Sequence, residues 1–494
     1  MDIFQSKFAR NDGPRWLILY GSTNDIESFA LKECVMMLQA SLPYVVEVKN
    51  AEDFSEKDYG NHIFIIGTKE NNHLLEKQPL DVPEKPESYC IKASDSPWNS
   101  QRRMLSICGR DSAGCLYGVE HFNAEKIGAE YANDLPEERI KQFENIADFI
   151  ITESPAIQER GIWTWGYPIY DYQAFIDNMA RLRMNTLILW NDKVPVNYND
   201  IVEYSEKRAI KIIPGFHWGW GMELDLSSRE VIEKIKKYVI DTYIKDYAGI
   251  KHAGIYFQTL TETQETDLNS IPRVKLACDI VNEIGAELLR KYPDLNIYFG
   301  LHAISVLDNY KFLEELDPRI SIIWEDAGTI PYCIDPVLEL RDTRRGWKLP
   351  IDTVDKTIEY SRKLANLRNK QEFKIVAKGF PNIRWSDFEN HKGFILGAQT
   401  PLAIKKQLEN RMTLWNYNNS LWIKNYPEAL RFFQEIMAEN PRETMVTVLI
   451  EDAMFEAQIQ DSSALLGAIL WNPGKDKDYY MKYVANDYYR QLKM

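Results

Sequence analysis

From Arg160 to Gly397 the chain repeats one unit, a short apolar run followed by a segment whose apolar residues recur at helical spacing. The runs are Gly161–Trp165, Asn185–Trp190, Ile210–Phe216, Gly254–Leu260, Asn296–Leu301, Ile320–Trp324, Phe373–Ala377 and Lys392–Gly397. The segments between them include Tyr172–Arg183, Asp200–Arg208, Ser228–Tyr247, Ile271–Lys291, Ser305–Leu316 and Thr353–Asn369. Few folds accept this pattern. Neighbouring parallel strands must be joined by a crossover, and the crossover is usually a helix. Eight such units over roughly 240 residues have the number and length of a (β/α)8 TIM barrel, expected over 151–397. The last unit is the shortest, because Pro381–His391 leaves too little room for a full helix.

The flanks have a different rhythm. Residues 1–150 read as a small α/β domain, with strands at Arg15–Gly21, Val45–Val48, Ile63–Gly67, Ser88–Lys92 and Met104–Gly109 and a helix at Asp25–Ala40. Asp111 follows a strand and opens a helical stretch to Ile127, which makes it the expected N-cap. Residues 398–494 carry helical periodicity over Pro401–Tyr417, Tyr426–Glu439 and Asp476–Lys493, so a helical C-terminal segment packed on the barrel is expected.

Charge and composition exclude several classes. Lys and Arg number 59 against 73 Asp and Glu, a net −14, which argues against nucleic-acid and anionic-membrane partners. No run of about 18 apolar residues is present to span a bilayer. The start, MDIFQSKFARNDGPRW, has no apolar leader core, so the expected location is the cytoplasm, or the periplasm or exterior if a leader has been removed. The six Cys form no CxxC pair and are expected as free thiols. The seven His form no HxH, HExxH or His–Cys cluster, so neither a metal site nor a cofactor is expected.

In a TIM barrel the chemistry sits at the carboxyl ends of the strands. Seven of the 13 Trp fall there: Trp163, Trp165, Trp190, Trp218, Trp220, Trp324 and Trp385. Aromatic faces suit the C–H face of a sugar ring, with polar neighbours for its hydroxyls. Candidate polar neighbours are Asn191, Lys193, His217, Gln258, Glu265, His302, Lys378 and Arg384. The strands' amino ends look much plainer. Acids follow the fourth run, at Glu262, and the sixth, at Glu325 and Asp326. Two carboxyl groups across the mouth could flank a glycosidic bond, one protonating the leaving oxygen and the other activating water or attacking. The reading is therefore a hydrolase that takes a terminal sugar from a carbohydrate partner, with Glu262 as acid and Glu325 or Asp326 as base or nucleophile. The alternatives are a hexosaminidase-like retaining hydrolase and a carbohydrate-binding barrel without catalysis. A homodimer through the helical C-terminal segment is a further expectation.

Three stretches carry a family resemblance. Asp111–Phe122 (DSAGCLYGVEHF) resembles the end of the small α/β domain that precedes the barrel in hexosaminidases and α-glucuronidases. Glu159-Arg-Gly161 follows at the matching distance, and Met179–Trp190 (MARLRMNTLILW) resembles their first barrel helix and second strand. The layout as a whole looks most like the α-glucuronidases of glycoside hydrolase family 67. That resemblance implies that Glu262 matches the family's general acid, with Glu325 or Asp326 nearest to its general base. The sequence departs from the family after the seventh strand, where Lys378, Arg384 and Trp385 stand with no carboxylate close by.

Overall fold

A computed structural model describes residues 14–130, 136–165, 169, 171–190, 194–195, 197–219, 222, 228–263, 265–325, 351, 353–369, 372–377, 401–450 and 454–491. The first layer is a six-stranded sheet of β1 (Trp16–Tyr20), β2 (Glu47–Asn50), β3 (His62–Thr68), β4 (Tyr89–Ser96), β5 (Asn99–Gly109) and β6 (Phe149–Glu153), in the order β2-β1-β3-β5-β4-β6. β1, β2, β3 and β5 run parallel, and β4 is antiparallel to both β5 and β6. Local chemistry sets the helices that join them. Asn24 and Glu27 form a reciprocal capping box at the start of Asp25–Ser41. Asp111 caps Ser112–His121, accepting from the Gly114 N–H at 2.8 Å, as the sequence leads one to expect.

The second unit is a closed, TIM-barrel-like ring of eight parallel strands with helices outside it. Its strands are β7 (Glu159–Trp165), β8 (Thr186–Trp190), β9 (Lys211–Gly215), β10 (Ile255–Gln258), β13 (Ile297–Leu301), β14 (Ile320–Trp324), β15 (Glu372–Ala377) and β16 (Glu443–Leu449). A small hairpin of β11 (Asp267–Leu268) and β12 (Ile271–Pro272) interrupts the fourth crossover. Seven strands coincide with apolar runs of the sequence. The eighth does not. Lys392–Gly397 lies outside the described residues, and the ring closes on β16, which pairs with β15 and with β7. The barrel therefore extends past 397 into the segment read as wholly helical. Glu-Thr-Met-Val-Thr-Val-Leu alternates with the period of a strand, but the long helical pattern before it dominates a wide window. That helix, Pro401–Ala438, is the final crossover.

Inside the ring, Trp163, Ile188, Trp190, Ile213, Tyr256, Tyr298, Ile323, Val376 and Met445 form one core. They sit at alternating strand positions, as inward-facing residues must. Branched aliphatics usually dominate such an interior, and four large aromatics replace them here. Trp163 and Trp190 both pack edge-on or tilted against Tyr256, with ring centroids 5.7 and 5.6 Å away. The amino-end mouth is not plain. Lys211 pairs with Glu159, while Lys374 meets Glu443 at 2.8 Å, Ser321 Oγ at 2.9 Å and Glu372 at 3.3 Å. Glu159, Lys211, Ser321, Lys374 and Glu443 line a cavity of about 630 Å³ at the base of the ring.

Buried polar contacts lock the sheet layer to the barrel. Arg160 is 1% exposed and donates to Glu87 Oε2 at 2.6 Å and to the carbonyls of Ile157 and Arg183 at 2.7 and 3.0 Å. Its guanidinium also lies 5.0 Å from the Trp471 ring centroid. A second lock joins Glu33, Glu120, Arg181 and Tyr488, from four separate helices. The five described cysteines are buried and free. No helix among the described residues is long and apolar enough to cross a membrane.

Candidate active site

The residues that can carry chemistry meet near the carboxyl end of the ring, around β10, β13 and β14. Tyr256 and Gln258 stand two apart on β10, so both point inward. Glu325 follows β14 directly and is 1% exposed. The Tyr256 hydroxyl donates to Glu325 Oε1, and the Gln258 amide donates to Oε2. His302, after β13, brings Nε2 to 3.5 Å from Oε2.

These groups belong to alternate strands, and β13 lies between them. What lets them meet is Gly300. A Cβ there would fall inside van der Waals contact of both the Tyr256 hydroxyl and Glu325 Oε1. Burial pushes the Tyr256 hydroxyl well above its ordinary value, the Glu325 charge pushes it further, and Glu262 adds a smaller push in the same direction. The tyrosine thus stays protonated and remains a donor. Glu262 is close enough to be felt at the same hydroxyl.

Glu262 itself is exposed, on a loop that is tightly fixed. Thr259 Oγ1 donates to the Trp218 carbonyl at 2.5 Å, tying the loop to the third strand's end. Ser305 Oγ donates to the Thr261 carbonyl at 2.6 Å, tying it to the fifth. Leu260 between them has φ 63°, a left-handed conformation that costs a non-glycine residue roughly 1–2 kcal/mol. Such strain concentrates at functional loops.

Other expected site residues are placed differently. Trp163 and Trp190 are 1% and 4% exposed and fill the barrel core, so they offer no open sugar platform. Trp218 is fully buried and stacks on Phe257 at 3.5 Å, outside the strand wall. Trp324 is 5% exposed and packs edge-on to Tyr360 of an outer helix. The reason is the pleat: a tryptophan near a strand end goes into the core or into the helix layer according to its parity. His217 stacks on Tyr238 of another outer helix, with its Nε2 3.0 Å from the tyrosine hydroxyl. Glu265 pairs with Arg273 at 2.7 Å on the surface, which takes it away from the cluster. Asn191, Lys193, Trp220, Asp326, Lys378, Arg384 and Trp385 lie outside the described residues, as does the side chain of Trp165.

Tyr256 and Gly300 were not among the sequence candidates. The available signal was the inward Tyr-x-Gln of β10, a polar pair in an otherwise apolar strand. Among the described residues no group of three or more His, Cys, Asp and Glu could hold a metal ion. No family model matches the chain, and a comparison with curated proteins gives no match either.

Proposed function

We propose that the chain is a glycoside hydrolase that removes a terminal sugar, of the type its layout resembles among the α-glucuronidases. The observation that carries this reading is the pairing of two unlike carboxyl groups. Glu325 is buried and held on both oxygens, while Glu262 stands exposed on a fixed loop and is felt at the same tyrosine. Burial alone would favour a proton on Glu325, but hydrogen bonds to both of its oxygens favour its charged form, and a neighbouring negative charge favours the proton on the other acid of such a pair. Glu262 gives its proton to the glycosidic oxygen as the C–O bond breaks and the electron pair leaves with that oxygen. Glu325 acts as the ionised partner, taking a proton from the water whose oxygen bonds to the anomeric carbon.

The test is turnover of a panel of p-nitrophenyl and alkyl glycosides by wild type and Glu262→Gln. Loss of a general acid costs about 10²- to 10⁴-fold. The loss should be larger for alkyl than for nitrophenyl leaving groups, since only the former need the proton. Full activity of the Gln variant on alkyl glycosides overturns the assignment. A second reading, a sugar-binding barrel without catalysis, draws support from the near-complete burial of Glu325. Calorimetric binding of monosaccharides with no turnover of any panel member would select it.

A further inference from the structure

We propose that Tyr256 and Gln258 are positioning residues that hold Glu325 as a fixed, ionised carboxylate through the gap at Gly300. This rests on the glycosidase reading and deepens it, by deciding which acid of the pair works ionised.

The geometry leaves Glu325 little freedom. Each carboxylate oxygen accepts from a different side chain of β10, and both donors come from the strand next but one to its own. A hydrogen bond to a charged carboxylate favours the charged form, whereas an apolar surrounding favours the protonated one. Glu325 is 1% exposed, so bulk water does little to hold its charge, and the donors around it must do so. Removing either donor takes away a contact that favours the charged form of Glu325. The titratable groups that face it among the described residues are Tyr256 from β10, Glu262 from the loop after β10 and His302 from the end of β13. Tyr256 stays protonated and donating, and His302 adds at most a positive charge at 3.5 Å. Among the described residues, Glu262 is the acid whose charge opposes that on Glu325, and it stands exposed to screening water.

The experiment follows the carboxyl carbon of Glu325 by NMR in full-length protein labelled with [5-13C]glutamate, assigned by its loss in Glu325→Gln. Tyr256→Phe removes one donor at nearly constant volume, and Gln258→Leu removes the other should the first variant fail to fold. Loss of one charge-assisted hydrogen bond should raise the midpoint of Glu325 by about one to two pH units. The acid limb of kcat/KM for a p-nitrophenyl glycoside should move by the same amount. An unmoved midpoint in a folded variant overturns the proposal, because a merely structural contact would lower the melting temperature and leave the titration alone. A midpoint that rises while Glu325→Gln keeps full activity supports the clamp and overturns the glycosidase reading.

Discussion

The lock between the sheet layer and the barrel carries an imbalance of charge that can be measured. Glu33 and Glu120 are 0% and 1% exposed, and one guanidinium serves both. Arg181 is committed to Glu33 through two bonds of 2.9 and 3.0 Å. Glu120 keeps only the Tyr488 hydroxyl at 2.5 Å, and its Oε1 has no hydrogen-bond partner among the described residues. Burial first, and the Glu33 charge second, push the Glu120 carboxyl up to about 8 from an ordinary 4.5. The sign follows directly. Between those values the folded chain holds a proton that the unfolded chain releases, so this group's contribution is full below 4.5 and is lost as pH rises through about 8.

One extra bound proton is worth at most about 1.4 kcal/mol per pH unit. From pH 5.5 to 7.5, wild type should therefore lose about 2–3 kcal/mol relative to Glu120→Gln, which is neutral and keeps an acceptor for Tyr488. Urea unfolding followed by circular dichroism at pH 5.5, 6.5 and 7.5, at one ionic strength, reads the difference. His62, pushed down to about 4 mainly by burial, contributes with the opposite slope, but equally in both proteins. The difference between the two curves isolates Glu120. Parallel stability curves for wild type and Glu120→Gln would refute the reasoning.

Two other perturbations have comparable clarity. Arg160→Met keeps most of the buried volume but takes the donor from Glu87 Oε2 and from the carbonyls of Ile157, Gln158 and Arg183. Breaking such a pair costs about 3–5 kcal/mol, visible as a lower urea midpoint. Gly300→Ala drives a methyl group between the Tyr256 hydroxyl and Glu325. Overpacking of this kind costs about 1–3 kcal/mol, and under the proposed glycosidase function turnover should fall with it while the far-ultraviolet circular dichroism is retained.

The barrel was legible because period and length are local properties: seven of its strands are apolar runs bounded by helices, and Asp111 announces its helix by chemistry alone. The eighth strand was not, because seven alternating residues beside a 38-residue helix are too short to set the period of their neighbourhood. The tryptophans illustrate a deeper limit. Their position at strand ends could be read, but Trp163 and Trp190 face the barrel core while Trp218 and Trp324 face the helices. A shift of one residue in parity exchanges those fates, and nothing near each tryptophan fixes it. Glu325 could be picked from its place after a strand. Its partners could not, because Tyr256 lies 69 residues earlier in the chain and reaches it only over Gly300.

The same aromatic core explains why those partners are required. A barrel filled by branched aliphatics has no donors to offer, and an ionised carboxylate placed above it would have to protonate or withdraw toward water. Replacing one inward residue by tyrosine supplies a donor on a rigid stem, but its length brings the hydroxyl up into the next layer, where the neighbouring strand must lose its side chain. Tyr256 and Gly300 are thus two halves of one adjustment, and Glu325 is the charge that both accommodate. Gln258, one pleat further along β10, closes the remaining oxygen. The arrangement holds a buried carboxylate at a strand's end by donors on another strand and leaves the exposed acid, Glu262, on a loop. The exposed acid is thereby set within electrostatic reach of Tyr256, the residue that holds the buried one.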